Sequence, residues 1–265
     1  MNIETDIPQS WLIVAHSAIG KAHIKNNLPC QDAHYLLPIN NETGIAVVCD
    51  GAGSAAESQI GAKIIAKQTA LLLKREIKTV DWLLSLNNNE KWKQISSKVL
   101  LKAFIFLEKF AKKTNREIKS LACTVIAVVY NPHHIRICHI GDGRAAYCNN
   151  QNNWQAIMTP FKGEEANQTI FITSNLWRNN LDYIGCHVIS DDIAAFTLMS
   201  DGCENASFQL NRYDEENKIY VAHDGADEVV DFDSKIRLLG KKEINIAYIG
   251  HLYKGKGMAR IYRTR

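Results

Sequence analysis

Two long helical segments stand next to each other in this chain, with strand-like segments before and after them. The first begins near Ser54, where Ser54 and Glu57 have the spacing of a capping box, and the second covers Trp92–Lys113. Asn87–Asn89 forms a loop between them. Because helices do not alternate with the strands one by one, a parallel doubly wound fold is disfavoured. We therefore expect an α+β fold built on antiparallel sheets.

Short apolar runs rich in β-branched residues predict the strands. They are Trp11–Ala18, Ala33–Ile39, Gly44–Cys49, Cys123–Tyr130, Ile135–Ile140, Ala145–Cys148, Tyr183–Ile189, Ala194–Met199 and Ile244–Ile249. We expect the strands that begin at residues 123, 135 and 145 to form a meander, and those that begin at residues 183 and 194 to pair with each other.

The chain shows no internal repeat and no long linker, so we expect a single domain over residues 1–265. Residues 235–265 differ in character, with nine Lys or Arg residues against one acid, and are expected to be a divergent basic C-terminal segment. The N-terminus lacks the pattern of a secretory signal, and the longest apolar run, Leu121–Tyr130, is too short to span a bilayer. The net charge of +3 calls for neither a nucleic acid nor a membrane as partner. We expect a cytoplasmic monomer.

The seven cysteines contain no Cys-x-x-Cys pair, and several lie within apolar runs. This pattern indicates buried free thiols in a reducing compartment rather than a disulfide framework or a zinc site.

An apolar strand that ends in an Asp-Gly pair occurs three times, with Asp50, Asp142 and Asp201 as the acids. A carboxylate at the end of a buried strand is unfavourable unless its charge is offset. Several such strands side by side would bring the carboxylates together, and hard divalent cations bind such groups. The glycine after each acid lets the backbone turn sharply, so that its own carbonyl can also face a metal.

Asp-Gly is also a hairpin signal, which explains Gly141–Gly143 equally well because a strand follows at once. Asp50 is followed by a helix, and its sequence contains more glycine than a simple turn needs. No strand follows Asp201, for which a solvated loop is the alternative.

Four segments carry a resemblance to a known family. In order and spacing, Pro29–Asp32, Val48–Ser54, Ile140–Arg144 and Met199–Gly202 resemble successive motifs of the protein phosphatase 2C family, as a divergent bacterial-type member. The resemblance covers residues 11 to 203. It implies two packed antiparallel β-sheets flanked by helices, an α-β-β-α sandwich.

The resemblance also implies a metal-dependent serine/threonine phosphatase that hydrolyses phosphomonoesters with a water activated by two Mn²⁺ or Mg²⁺ ions. Asp50 would bridge both ions, Gly51 would offer its carbonyl, and Asp201 would bind one ion directly. Asp32 would hold metal-bound water, and Asp142 matches a position that contributes to a third ion in some members. Two metal ions can clamp a phosphate and generate hydroxide near neutral pH, so no serine or cysteine nucleophile is required. Neither Cys30 nor Cys49 lies in the phosphate-cradling loop of a cysteine phosphatase, so we interpret both as packing residues.

The sequence departs from the family in two places near these motifs. Asn27 stands where the family has a phosphate-holding arginine, so the substrate-binding cation is unknown, with Lys21, His23 and Lys25 as alternatives. Ala52 replaces a histidine proposed as general acid, which leaves water, His16 or His23 to protonate the leaving group.

A third departure concerns the last metal ligand. The segment Gly240–Glu243 lacks the family's aspartate pair, so Asp231, Asp233 or Glu243 would have to substitute. Three functions stay open: a protein phosphatase with a phosphorylated protein as substrate and a cognate kinase, a phosphatase for small phosphoesters, and an inactive pseudophosphatase that binds a phosphorylated partner. The retained Asp32, Asp50 and Asp201 favour an active enzyme.

Overall fold

A computed structural model of the protein describes residues 11–17, 19–77, 87–151, 153–158, 161, 169–203, 208–209, 211–214, 218–222, 228–229 and 258–263. The strands are β1 Trp11–His16, β2 Ala33–Pro38, β3 Gly44–Cys49, β4 Val125–Asn131, β5 His134–Ile140, β6 Arg144–Asn149, β7 Trp154–Ala156, β8 Gly185–Ser190, β9 Ile193–Met199, β10 Phe208–Gln209, β11 Asn211–Asp214, β12 Ile219–Ala222, β13 Glu228–Val229 and β14 Met258–Arg263. The helices are α1 Lys21–Lys25, α2 Ser58–Glu76, α3 Asn89–Lys113 and α4 Leu176–Asn179, with 3₁₀ turns at Ile118–Leu121, Leu181–Tyr183 and Asp201–Cys203.

Two five-stranded antiparallel sheets form the centre of the fold. The first sheet has the order β2-β3-β4-β5-β8, and the second has the order β1-β14-β9-β6-β7. Alternate residues of the central strands point to opposite faces, so that Val48 and Ile126 meet Phe196 and Leu198 between the sheets. The prediction of packed antiparallel sheets is confirmed.

Helices α2 and α3 cover the outer face of the first sheet. Their buried stripes pack on the residues of β3, β4 and β5 that point away from the second sheet. Within α3, Trp92 is fully buried and its indole N–H donates to the backbone oxygen of Ile137 at 2.7 Å. These helices confirm the flanking layer that the sequence predicted. No helix in the part of the chain described above is long and apolar enough to cross a membrane.

The starts of the two long helices differ from the predictions. Helix α2 begins at Ser58, and the predicted capping box of Ser54 and Glu57 is wrong, because no side chain caps this end. The Glu57 carboxylate instead pairs with Arg116 Nε at 2.9 Å, a residue distant in sequence. Helix α3 begins three residues before the predicted Trp92, because the Asn88 side chain accepts the backbone N–H groups of residues 90 and 91 at 2.8 and 3.2 Å.

The predicted meander is confirmed for its first two strands and wrong for the third, and the predicted pairing of the strands that begin at residues 183 and 194 is wrong. Strand β5 pairs with β4 and β8, whereas β6 pairs with β7 and β9 in the other sheet. Strands β8 and β9 likewise belong to different sheets. In each case a short connection carries the chain from one sheet to the other, and periodicity along a strand does not specify its partner. The hairpin interpretation of Gly141–Gly143 is excluded by the same crossing.

Strand β14 belongs to the predicted divergent C-terminal segment, and it lies between β1 and β9 in the second sheet. The predicted last strand, Ile244–Ile249, lies outside the described residues. All seven cysteines are free thiols, and five of them are buried.

Candidate active site

One end of the first sheet holds the carboxylates of its first two motifs. Ala33, the first residue of β2, pairs with Cys49, the last residue of β3. Asp32 and Asp50 therefore leave adjacent strands at the same edge, and only 6% and 9% of their surfaces are exposed. Gly51 brings the two segments into contact, because a Cβ added to it would lie 2.6 Å from the backbone oxygen of Gln31. The absence of a side chain at Gly51 is thus what allows the close approach.

The second sheet places Asp142 and Asp201 at its corresponding end. Arg144 at the start of β6 pairs with Met199 at the end of β9, so the acids two residues before and after them leave the sheet at one edge. Both side chains are half-buried. The chain thus brings four of the predicted acids to strand ends, two from each sheet.

Thr124, Gly141 and Gly143 connect the end of the first sheet that carries Asp50 to the end of the second sheet that carries Asp201. The backbone N–H of Asp50 donates to Thr124 Oγ1 at 3.0 Å, and the N–H of Thr124 donates to the Asp50 backbone oxygen at 2.8 Å. A Cβ on Gly141 would lie 2.5 Å from the Thr124 methyl group, and one on Gly143 would lie 2.8 Å from the Met199 backbone oxygen. Consecutive contacts therefore run from Asp50 to the end of β9, and the four acids share one end of the sandwich. Sequence reasoning did not identify Thr124, since nothing local marks a hydroxyl as a backbone acceptor 74 residues away.

The charges of Asp32 and Asp50 act on the neighbouring thiols. Burial raises the pKa of the Cys30 thiol above its ordinary value, and the two carboxylates raise it further. Burial is also the main cause of the raised pKa of Cys49, with Cys123 next and the same two carboxylates in addition. The two carboxylates thus act on both thiols in the direction expected for negative charges, which a divalent cation would offset.

The chemistry of the donors suits a hard divalent metal ion, since Asp32, Asp50 and the Gly51 carbonyl offer oxygen atoms, and Asp142 and Asp201 add two half-buried carboxylates. Among the described residues, no three His, Cys, Asp or Glu side chains are close enough together to form a ligand cluster. The candidates for the missing ligand, Asp231, Asp233 and Glu243, all lie outside the described residues.

Asn27 has a structural explanation for its departure from the family pattern. It follows α1 with a φ of 52°, in the left-handed region that asparagine tolerates better than longer side chains do. The next residue, Leu28, donates its N–H to the backbone oxygen of His23 at 2.8 Å, which closes the end of the helix. Asn27 therefore serves as a helix C-terminal residue. The weak substrate-binding candidates His23 and Lys25 lie in α1, which connects the site-proximal ends of β1 and β2.

Of the two histidines considered as general acid, His23 lies in α1 and His16 lies at the end of β1. His16 is exposed at the end of β1 and pairs with Met258, which pairs in turn with Met199 at the end of β9. Burial lowers the pKa of His34 below its ordinary value, and the nearby His16 lowers it further. Since His34 is two residues from Asp32, His16 lies on the edge of the candidate site.

Ala52 is buried against Ala55 and Ala122, and its backbone N–H donates to the Ala122 oxygen at 2.9 Å. The structure thus packs a small residue where the family has a histidine. Lys63 in α2 is a cation that sequence reasoning missed: its charge opposes the rise in the pKa of Cys30, which places it within electrostatic range of that thiol.

Comparisons with known proteins identify the family of the chain. The sequence model described as Protein phosphatase 2C matches residues 19–230. A relative named serine/threonine-protein phosphatase 3, from Escherichia coli strain K12, is 27% identical over 205 residues, which cover 76% of this chain and 77% of that protein.

Solved structures show the same fold. The serine/threonine phosphatase Stp1 from Staphylococcus aureus has a TM-score of 0.53 at 12% identity, covering 100% of this chain and 98% of its own. The serine-threonine phosphatase 2C from Toxoplasma gondii has a TM-score of 0.56 at 11% identity, covering 98% and 96%. At such low identity these structures show only the fold, whereas the match to the sequence model identifies the family. The chain belongs to the protein phosphatase 2C family and is a phosphatase, an enzyme of the hydrolase class.

Proposed function

We propose that this protein is a serine/threonine phosphatase that hydrolyses phosphomonoesters with a water activated at a binuclear Mn²⁺ or Mg²⁺ centre. Membership in the family implies dependence on divalent metal ions and phosphoprotein substrates. The observation that carries the proposal is the convergence of Asp32, Asp50, Asp142 and Asp201 from both sheets at one end of the fold. A carboxylate that is buried or half-buried at a strand end is unfavourable unless an opposite charge offsets it, and divalent ions would supply that charge.

Each acid has a proposed role. Asp50, the Gly51 carbonyl and Asp201 would hold the metal ions, and Asp32 would hold water beside them. Asp142 is available to a third ion. Bound at this place, divalent ions supply two effects, since they neutralise phosphate charge and lower the pKa of water into the neutral range.

Other residues hold these ligands in position. Thr124 fixes the backbone on both sides of Asp50 through its hydroxyl and its N–H. This restraint keeps the carboxylate at the strand end, where it cannot retreat toward solvent. Such preorganisation matters because catalysis falls steeply when ligands move by about 1 Å.

The segment between β1 and β2 would act on the phosphate and the leaving group. His16 ends β1 on this edge, and α1 with His23 and Lys25 follows it. We assign His16 the donation of a proton to the leaving-group oxygen, because its register brings it level with the end of β9. His23 or Lys25 would offset the phosphate charge, in place of the arginine that the family has at the position of Asn27.

The substrate is a phosphoserine or phosphothreonine protein, supplied by a cognate kinase, and the enzyme acts as a monomer. The name of the Escherichia coli relative supports the choice of substrate. The alternative of an inactive pseudophosphatase is not favoured, because the family and the named relative are those of active phosphatases.

Hydrolysis of a chromogenic aryl phosphate tests the proposal. Activity should require Mn²⁺ or Mg²⁺, vanish with a chelator, and fall by at least about 100-fold in Asp50→Ala, as expected when a ligand of the catalytic metal ions is lost. Asp192→Ala is a matched control, since Asp192 is an exposed acid near the opposite end of β9. Full activity with chelator, or in Asp50→Ala, would contradict the proposal. A panel of phosphopeptides then separates protein substrates from small phosphoesters.

A further inference from the structure

A cavity of about 660 Å³ opens beside the loop that follows Asp50. Ala52 and Ala55 of that loop form one wall, Phe104 of α3 forms a second, and Phe171 and Arg178 from the segment before β8 form a third. The candidate metal centre does not use this cavity, although the two share the Asp50 loop.

Arg178 is held in place at this cavity. Its guanidinium lies 3.9 Å from the centre of the Phe104 ring, donates to the Ile172 backbone oxygen at 3.5 Å, and bonds to the Asn175 side chain. Because the side chain is only partly buried, part of the guanidinium still faces solvent. A cation stacked on an aromatic ring loses little further freedom when it binds an anion.

The remaining lining is a mixture of apolar and uncharged polar side chains with two opposite charges, so the net positive charge of the cavity comes from Arg178. Lys119 adds a second cation, and Glu108 is the acid among the described lining residues. Glu108 is paired with Lys112 at 3.5 Å, which offsets part of its charge, and it also interacts electrostatically with Arg178, so a substrate carboxylate would compete with it there. The cavity therefore suits a carboxylate on a short apolar stem, which can bond to a guanidinium while its methylene groups contact the aromatic walls.

The position of the cavity fits a peptide substrate. Ala52 is two residues from Asp50, a span of at most about 7 Å. An extended peptide advances about 3.3 Å per residue, so a side chain about two or three residues from the phosphorylated one would reach the cavity when the phosphate is at the candidate centre.

We propose that this cavity is a specificity subsite, which receives an aspartate or glutamate near the phosphorylated residue and binds its carboxylate through Arg178. The inference rests on the proposed function, because it names the sequence context of that function's substrate. It assigns Arg178 to substrate selection and not to the chemical step.

The test compares pairs of phosphoserine peptides that carry an acid or its amide about two or three residues from the phosphoserine, on either side. At one of these positions, the native enzyme should show about tenfold higher kcat/KM with the acid than with the amide, as for a charge-assisted hydrogen bond. Arg178→Gln should lose most of that preference, because its KM for the acidic peptide rises. Arg75→Gln is the matched control, since Arg75 is exposed in the last turn of α2, at the far end of the helix from the Asp50 loop. Both variants should keep native activity toward the aryl phosphate, which also reports that they fold.

Two results overturn the subsite. One is equal turnover of acid and amide peptides by the native enzyme at every position, and the other is an unchanged preference in Arg178→Gln. If Arg178→Gln fails to fold, Lys119→Gln should still reduce the preference, and an unchanged preference there overturns the proposal. Failure of the proposed function looks different, because then neither the aryl phosphate nor any phosphopeptide is hydrolysed.

Discussion

Adding one methyl group at Gly51 should damage both stability and the candidate site. In Gly51→Ala the new Cβ would lie 2.6 Å from the Gln31 backbone oxygen and 2.8 Å from Ser58 Oγ. Ser58 can rotate, but a backbone oxygen can move only with its chain, so the segment that carries Asp32 must shift by several tenths of an ångström. Overpacking of this kind costs about 1–3 kcal/mol of unfolding free energy.

Gly53→Ala supplies the matched control, because a Cβ at Gly53 meets no heavy atom within 4 Å. Urea unfolding of both variants measures the difference, and Mn²⁺ titration of the folded proteins reports the displaced ligands. We expect Gly53→Ala to stay within about 1 kcal/mol of the native protein, since replacing glycine where the conformation allows it is mildly stabilising. Equal unfolding free energies for the two variants, or native Mn²⁺ affinity in Gly51→Ala, would refute the close approach of Gly51 to Gln31.

Three further predictions follow from single residues. Thr124→Val leaves the buried N–H of Asp50 without its acceptor and should cost about 1–3 kcal/mol in urea unfolding, whereas Thr124→Ser should cost much less, because it keeps the hydroxyl; equal costs would contradict this. Asn27→Arg places a long side chain at a φ of 52° and should lower the free energy of unfolding by about 1 kcal/mol without raising aryl phosphate turnover. A gain in kcat/KM would contradict this prediction, because it would show that an arginine at this position can still bind the substrate phosphate. Burial lowers the pKa of His139 to about 4, so its neutral form is favoured in the folded state. The unfolded chain then binds the extra proton between about pH 6.5 and 4, and stability should fall as the pH falls through this window, by a total on the order of 3 kcal/mol. His139→Gln should flatten that part of the pH profile of urea unfolding, and an unchanged slope would contradict the assignment.

The strands and the acids at their ends could be predicted because both depend on local patterns. Gly44–Cys49 was predicted with its observed bounds, since a strand buried on both faces is a continuous apolar run. The pairing of strands could not be predicted in the same way. The sequence of Gly141–Gly143 is that of a hairpin turn, but this segment connects β5 in the first sheet to β6 in the second, because β6 pairs with β9. The register that aligns Arg144 with Met199 is likewise a long-range property.

Long-range contacts also explain what was missed at the site. Thr124 and Lys63 have no local signal, and the cap predicted at Ser54 failed because Glu57 pairs with Arg116, 59 residues later. Strand β14 was missed because two of its six residues are arginines within a basic segment, and its place between β1 and β9 depends on partners about 60 or more residues away.

The central claim is that acids from both sheets hold divalent metal at one end of the fold. Anomalous scattering from crystals soaked in Mn²⁺ tests it most directly. The account predicts peaks within about 2.0–2.6 Å of an Asp50 carboxylate oxygen and the Gly51 carbonyl oxygen, with at least one peak also bound by Asp201. Peaks held by residues of a single sheet, or no peak at Asp50, would contradict it.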